Sequence, residues 1–184
     1  MSMKTKFKTI ILLVLICCLI LGCATTPMQM SPEELTGPQP NEGIVFGSIQ
    51  IKGGKDVLGR TKWNLAAIQT DDTGGIYSIT AHRNGEEVYF STKLAAGNYH
   101  FYELYQEGFS TFRASTNIQF RVESLKTKYI GKLVVEFPPG FITVRTPIML
   151  TVENVMDEVL NSSSSYGISV NDVITDLMIH ATDL

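Results

Sequence analysis

Side chains able to act as nucleophiles or metal ligands are few in this chain and far apart. The cysteines all lie within the first 23 residues, at Cys17, Cys18 and Cys23. The histidines have no acidic or histidine partner at the spacing of a metal-binding motif; they are His82, His100 and His180. We therefore expect no disulfide, no thiolate nucleophile and no metal or cofactor site in the body of the chain.

Two acidic pairs lie in segments that are typical of turns. Asp71-Asp72 is followed by Thr-Gly-Gly and lacks the alternating ligands and distal glutamate of a calcium loop. Glu86-Glu87 follows an Asn-Gly pair and is interpreted as a solvated turn rather than as a catalytic carboxylate pair. A hydrolase would need a site assembled from scattered acids such as Glu103, Glu107 or Asp157, so an enzyme is the less favoured alternative.

Aromatic side chains are concentrated between residues 89 and 112. Strand alternation predicts Tyr99, Phe101 and Tyr105 on one face, with Tyr102 and Leu104 on the other. Most of these rings are expected to form a core. An exposed subset drawn from Tyr99, Tyr102 and Tyr105 would provide a binding patch for a glycan or a protein partner.

The charge balance argues against nucleic acid as a partner. The formal net charge is −3, and removal of residues 1–22 takes away three lysines and no acid, which leaves −6. Binding to nucleic acid through phosphate contacts needs clustered lysine and arginine. The hydrophobic share of 44% and the charged share of 18% indicate a globular protein of one domain with tails.

The N-terminus has the pattern of an export signal. Lys4, Lys6 and Lys8 precede the apolar segment Thr9–Leu21, which is too short to span a bilayer as a permanent helix. Residues 1–22 are therefore predicted to be a signal peptide.

The segment Ile20-Leu21-Gly22-Cys23 resembles the lipobox of bacterial lipoproteins. The resemblance implies cleavage between Gly22 and Cys23 and attachment of acyl chains to the Cys23 thiol, through which the protein would bind membrane lipid. Bulky Ile16 precedes Cys17, so the other two cysteines do not fit this pattern. Ala24, rather than aspartate, follows the modified cysteine; in a Gram-negative host this resembles the address of an outer-membrane lipoprotein on the periplasmic face.

Residues 23–42 are predicted to be a flexible tether because they contain four prolines and many small polar residues. Residues 43–152 are predicted to form an antiparallel β-sandwich of seven to eight strands. These strands would come from nine segments with a strand-like pattern, which are 44–51, 63–70, 76–81, 87–93, 99–105, 116–123, 129–137, 141–145 and 148–152. Turns are predicted at Gly53-Gly54, at Ala96-Gly97-Asn98 and, as a hairpin, at Asn84-Gly85.

The faces of two strands can be assigned from their alternation. Ile118, Phe120 and Val122 should point inward, and Leu133, Val135 and Phe137 should share one side.

The C-terminal residues 153–184 are predicted to contain one or two helices. Apolar residues recur at intervals of three and four in 152–160, with Val155 and Val159, and in 170–180, with Val173 and Leu177. Both helices are expected to pack on the sandwich.

Three segments together resemble small bacterial lipoproteins with a transthyretin-like or carboxypeptidase-regulatory-like β-sandwich. They are Ile44–Ile49, Leu94–Tyr99 and Phe120–Leu133. The resemblance implies a sandwich fold and brings no defined activity with it. We therefore expect a noncatalytic binding or assembly module on a lipid anchor in the cell envelope, with a carbohydrate-binding module as the main alternative.

Overall fold

The computed structural model describes residues 25–30, 34–35, 37–55, 62–70, 75–82, 85–106, 112–141, 147–158 and 173–180. Gly22 and Cys23 lie outside these residues. The described part forms eleven strands and a short helical segment at 156–158. The strands are β1 (Thr26–Pro27), β2 (Glu42–Lys55), β3 (Lys62–Gln69), β4 (Tyr77–His82), β5 (Glu87–Ala95), β6 (Gly97–Gln106), β7 (Phe112–Val122), β8 (Thr127–Phe141), β9 (Met149–Glu153), β10 (Val173–Thr175) and β11 (Ile179–His180).

The strands form two facing sheets, as the predicted sandwich requires. Sheet A has the order β1-β4-β3-β6-β7-β11, and sheet B has the order β10-β8-β2-β5, with β9 also paired to β8. The mainly β class is confirmed. The predicted strand number was too low, because the short strands near the two ends of the described chain carry no alternating pattern of their own.

Apolar side chains from both sheets meet in one central core. Ile118, Phe120 and Val122 are at most 5% exposed, and Leu133 and Val135 are buried with them, so the predicted inward faces are confirmed. Burial of each such side chain contributes about 1.5–3 kcal/mol relative to an exposed one. The aromatic part of this core includes ring contacts of Phe112, edge-on, with Trp63 and Phe137, and a tilted contact between Trp63 and Phe137.

The prediction of a purely antiparallel sandwich was wrong, because the centre of sheet B is mixed. β2 pairs antiparallel with β5 but parallel with β8, whose register begins at Ile44 opposite Thr127. Residues 128–135 of β8 are all buried, as is typical of a strand covered on both faces. Turn signals report only neighbours in sequence, so they do not reveal a partner more than 80 residues away.

Two predicted turns are placed differently in the structure. Gly85 lies between β4 of sheet A and β5 of sheet B, so these two strands do not form the predicted hairpin, and Asn84 lies outside the described residues. Gly53 lies within β2, with φ of 73° at a register shift opposite Phe137. A Cβ at Gly53 would lie 2.2 Å from the Phe137 carbonyl oxygen, which explains why glycine occurs at this bulge.

The segment predicted to be a flexible tether is in part built into the sandwich. β1 pairs parallel with β4 of sheet A, and Gln29 forms a bridge to Ser91 of sheet B. Met28 between them is fully buried in the central core. Residues 25–30 therefore close one edge of the sandwich, because a single apolar side chain and a few backbone hydrogen bonds outweigh the proline-rich composition.

The opposite edge is closed by residues 173–180, where a helix was predicted. β10 pairs parallel with the start of β8, and β11 pairs antiparallel with β7. Between them, the Met178 backbone N–H donates to the Ile130 carbonyl, and the Met178 side chain enters the core. The apolar residues of this segment are thus spaced three and four apart because the segment crosses from one sheet to the other, and not because it is helical. Of the other predicted helix, at 152–160, residues 152–153 belong to β9, 156–158 is helical, and 159–160 lies outside the described residues.

A second, smaller apolar cluster covers the outer face of sheet B. Phe46 and Tyr129 form its centre, and Val155, Met156 and Leu177 pack against them. The Val155 backbone N–H donates to the Tyr129 hydroxyl over 3.0 Å, and burial raises the pKa of that hydroxyl. Sheet B is therefore covered on both faces.

Candidate functional site

The outer face of sheet A carries the candidate site. Two of the three tyrosines singled out in the sequence lie here, since Tyr102 and Tyr105 are both partly exposed on β6. Glu103 lies between them on β6, and Arg113 lies beside them on the neighbouring strand β7. We call these four residues the tyrosine face.

A bulge in β6 places both tyrosines on this face. Strict alternation predicted Tyr105 on the side of Phe101, but the pairing of β6 with β7 shifts register between Phe101 and Glu103. Leu104 consequently joins Phe101 in the core at 0% exposure, and Tyr105 turns outward. The predicted grouping of these side chains was therefore wrong beyond residue 102.

The β7 side of the bulge is held by a buried hydrogen bond. The Thr116 hydroxyl donates to the Phe101 carbonyl over 2.6 Å, and Asn117 adopts a φ of 48°. Asparagine tolerates this left-handed conformation better than most residues with a Cβ. The bulge is thus a fixed feature of the fold, and so is the position of Tyr105.

The third tyrosine of the predicted patch belongs to the core. Tyr99 is 1% exposed, stacks on Phe120 at a centroid distance of 5.4 Å and donates its hydroxyl proton to the Ala95 carbonyl over 3.0 Å. Tyr99 also lines a cavity of about 370 Å³ between β7 and residues 173–180, together with Gln119 and Asp176. Tyr99 therefore has a packing role and does not belong to an exposed aromatic patch.

An ion pair organises the tyrosine face. The Arg113 guanidinium lies 2.7 Å from the Glu103 carboxylate and 5.7 Å from the centre of the Tyr105 ring, within cation–π range. The hydrogen bond and charge of Glu103 raise the pKa of Arg113. Burial, followed by the charge of Glu103, raises the pKa of the Tyr102 hydroxyl, which therefore keeps its proton at neutral pH.

Polar groups extend this surface on both sides. The His100 ring lies edge-on to Tyr102 at 6.0 Å, and Asn64 is opposite Tyr105 in the register of β3 and β6. The Thr80 hydroxyl donates to the Asn64 side-chain oxygen over 2.9 Å. Ring faces, an amide and a fixed charge pair together offer apolar contact and directed hydrogen bonds, which suits noncovalent recognition.

The structure does not bring the remaining chemical candidates together. His82 ends β4, and the His180 ring lies 3.3 Å from the Leu150 carbonyl oxygen on β9. Asp157 is exposed in the helical segment, and Glu107 lies outside the described residues. Within the described ranges, no three histidine, cysteine or acidic side chains gather as metal ligands would.

Two buried lysines were missed in the sequence. Lys128 is 1% exposed and donates to Glu123 over 2.7 Å and to Asp176 over 2.5 Å. Lys132 is 9% exposed and donates to Glu87 over 2.9 Å. The available signal was that Lys132 lies within the largely apolar candidate strand 129–137 and Lys128 directly before it.

No protein-family model, curated protein or solved structure matches this chain. The resemblance to transthyretin-like lipoproteins consequently stays a prediction from the sequence. Among the described residues, no helix has the length and apolar character needed to cross a membrane.

Proposed function

We propose that this protein is a lipid-anchored protein of the bacterial cell envelope that acts as a noncatalytic binding or assembly module. The basic n-region, the apolar segment of 13 residues and the lipobox pattern ending at Cys23 support the anchor. The tyrosine face supports the binding role. In a Gram-negative host the expected site is the periplasmic face of the outer membrane.

The observation that carries the binding role is the arrangement of Tyr102 and Tyr105 around the Glu103–Arg113 pair. On sheet B, residues 154–158 and 173–177 supply the groups that pack over the outer cluster. On sheet A, the Arg113 side chain is 62% exposed and both tyrosines remain partly exposed. Aromatic and arginine side chains at such positions are typical of interface hot spots.

A glycan is the second candidate ligand. Two tyrosine rings give apolar surface for the C–H faces of a sugar, while Asn64 and the Glu103–Arg113 pair provide donors and acceptors for its hydroxyl groups. A protein partner would use the same rings as anchors, so the two candidates differ in ligand and share one surface.

The lipid anchor is tested by mass spectrometry of the mature protein. In the proposed maturation, the Cys23 sulfur forms a thioether with the glyceryl carbon of a phospholipid, whose headgroup phosphate leaves with the thiol proton. Hydrolysis then breaks the Gly22–Cys23 peptide bond. The chain should begin at residue 23 and carry acyl mass, and Cys23→Ala should abolish both, whereas Cys18→Ala should change neither. A bare thiol at residue 23 would refute the anchor.

The binding surface is tested by crosslinking in intact cells and by glycan-array binding. Tyr102→Ala and Tyr105→Ala should each weaken capture of a specific neighbour or glycan at least about tenfold, the scale of a hot spot. Tyr89→Ala is the matched control, because Tyr89 is also partly buried but packs in the cluster outside sheet B. Equal binding by all three variants would exclude the tyrosine face, and binding to protein but to no glycan would remove the second candidate.

A further inference from the structure

The turn between β7 and β8 exposes a large apolar side chain in an unfavourable backbone conformation. Leu125 is 59% exposed and has a φ of 58°. Glycine or asparagine is the usual residue in this left-handed region, because a leucine Cβ is crowded there. Leu125 thus combines backbone strain with apolar exposure, and neither is explained by the packing of the sandwich.

The turn is held firmly on the body of the protein. The Leu125 backbone N–H donates to the Glu42 carbonyl over 2.7 Å, and the Ser124 hydroxyl donates to the Pro40 carbonyl. Lys126, the next residue, is also exposed. The side chains of Leu125 and Lys126 therefore lie in a fixed position at the end of the sandwich where β2, β4 and β8 begin.

The start of the described chain points to the same end. β1 runs parallel to β4, so the described chain enters β1 at the end of the sandwich where β4 begins. The strand pairings place Thr26 on one row across sheet A with Tyr77, Ala67, Phe101 and Ile118. Thr25 is held near this row by contact of its hydroxyl with that of Ser78 over 3.3 Å.

The short distance from Cys23 to β1 limits how far the sandwich can stand from a membrane. Cys23 is three residue steps from Thr26, and fully extended these steps span about 10–11 Å. Ile118 is also three residue steps from Arg121, which is a rise of about 10 Å along β7. Cys23 can therefore reach no further than about the row of Arg121, whereas the turn at Leu125 lies beyond the end of β7.

We infer that the turn Ser124–Lys126 contacts the phospholipid bilayer, with Leu125 in the apolar boundary and Lys126 at the headgroup phosphates. This inference rests on the proposed lipid on Cys23. Because Cys23 can reach no further than that row, acyl chains on it bring the end of the sandwich onto the membrane, and Leu125 then meets lipid instead of water. An apolar residue flanked by a cation is suited to this interface.

The contact is tested by fluorescence on single-cysteine variants of the lipidated protein. The mature chain has no cysteine after Cys23, whose thiol is consumed by lipid, so one introduced cysteine takes all of a thiol-reactive, environment-sensitive dye. The variants are Leu125→Cys, Lys126→Cys and the control Met149→Cys. Met149 is also 59% exposed but begins β9, at the opposite end of the sandwich. Each protein is reconstituted in vesicles of phosphatidylethanolamine and phosphatidylglycerol, with and without spin-labelled quencher lipid.

Dye at residues 125 and 126 should shift to shorter wavelength and lose most of its fluorescence to the quencher, while dye at residue 149 keeps most of its signal. Equal quenching at the two ends in a protein whose mass includes acyl chains would overturn the bilayer contact alone. A bare thiol at Cys23, seen as a second dye per chain and loss of vesicle binding, would overturn the proposed anchor and this contact together.

Discussion

Lys128 is a cation held inside the protein by two acids at its surface. Burial lowers the pKa of Lys128, but the hydrogen bonds and charges of Asp176 and Glu123 outweigh burial and raise it. The same hydrogen bond lowers the pKa of the Glu123 carboxyl. The stability that Lys128 contributes is therefore complete below the pH at which an unfolded lysine titrates, and it is lost as pH rises above about 10–11.

Asp176→Asn should lower the free energy of unfolding at pH 7 by about 1–3 kcal/mol, because Lys128 loses one charged partner and stays buried. Above about pH 10–11 the difference from the parent protein should shrink, since the lysine becomes neutral in both. Urea denaturation of the protein without its signal peptide and lipid, across this pH range, measures the effect. Asp157→Asn, at an exposed acid, should change little, and an equal loss in both variants would contradict the prediction.

Gly47 on β2 lies at a register shift in the pairing with β8, and a substitution there gives a second prediction. A Cβ at residue 47 would lie 2.5 Å from the Gly131 carbonyl oxygen and 3.0 Å from the Phe90 ring. Gly47→Ala should therefore cost about 1–3 kcal/mol through backbone displacement in sheet B. Gly37→Ala is the control, because nothing lies within 4 Å of its added carbon. Equal unfolding temperatures for the two variants would contradict the prediction, because they would show that the backbone at the bulge accommodates the added Cβ without loss of stability.

At the scale of elements, the two ends of the described chain act as edge strands that also fill the core. Met28→Ala should lower the free energy of unfolding by about 2–5 kcal/mol, because its buried side chain bridges the edges of both sheets. Met149→Ala, at a side chain that is 59% exposed, should stay within about 0.5 kcal/mol. Chemical denaturation of the two variants side by side makes the comparison, and a small loss at Met28 would mean that residues 25–30 are docked only loosely.

Elements with regular alternation were predictable, and those defined by distant partners were not. The inward faces of β7 and of the later part of β8 follow from Ile118, Phe120, Leu133 and Val135. Because these apolar residues alternate along the strand, only one face of it can be buried in the core of a sandwich. The parallel pairing of β2 with β8 leaves no local mark. The segment 173–180 shows helical spacing, yet its backbone hydrogen bonds go to β7 and β8.

The candidate site was predictable only in part for the same reason. The concentration of aromatic residues on β6 was visible, and Tyr102 is partly exposed in the structure. Tyr99 and Tyr105, which alternation places on one face, lie on opposite faces because a bulge between them reverses the alternation, and the signal of that bulge lies in Thr116 and Asn117 on the neighbouring strand. Arg113 could not be associated with Tyr105 before the pairing of β6 with β7 was known.

At the scale of the whole molecule, long-range pairing should make folding slow. β2 reaches its parallel partner only after more than 80 residues, and both edges are closed by residues from near the two ends of the chain. Closing such loops costs entropy before contacts form, so we expect refolding of the soluble domain in about milliseconds to seconds. Stopped-flow tryptophan fluorescence reports it through the buried Trp63. Refolding within microseconds would contradict this expectation.

The central position of β2 also has a consequence for the proposed export of the chain to the periplasm with its N-terminus first. β2 and β5 emerge early, but the outer face of this strand pair, which includes Phe46, stays uncovered until Tyr129 of β8 has passed through the export channel. About three quarters of the polypeptide must then be outside before sheet B can assemble. During that interval a periplasmic holdase would have an exposed apolar strand pair to bind, and competition between holdase release and the arrival of β8 would set the yield of native protein.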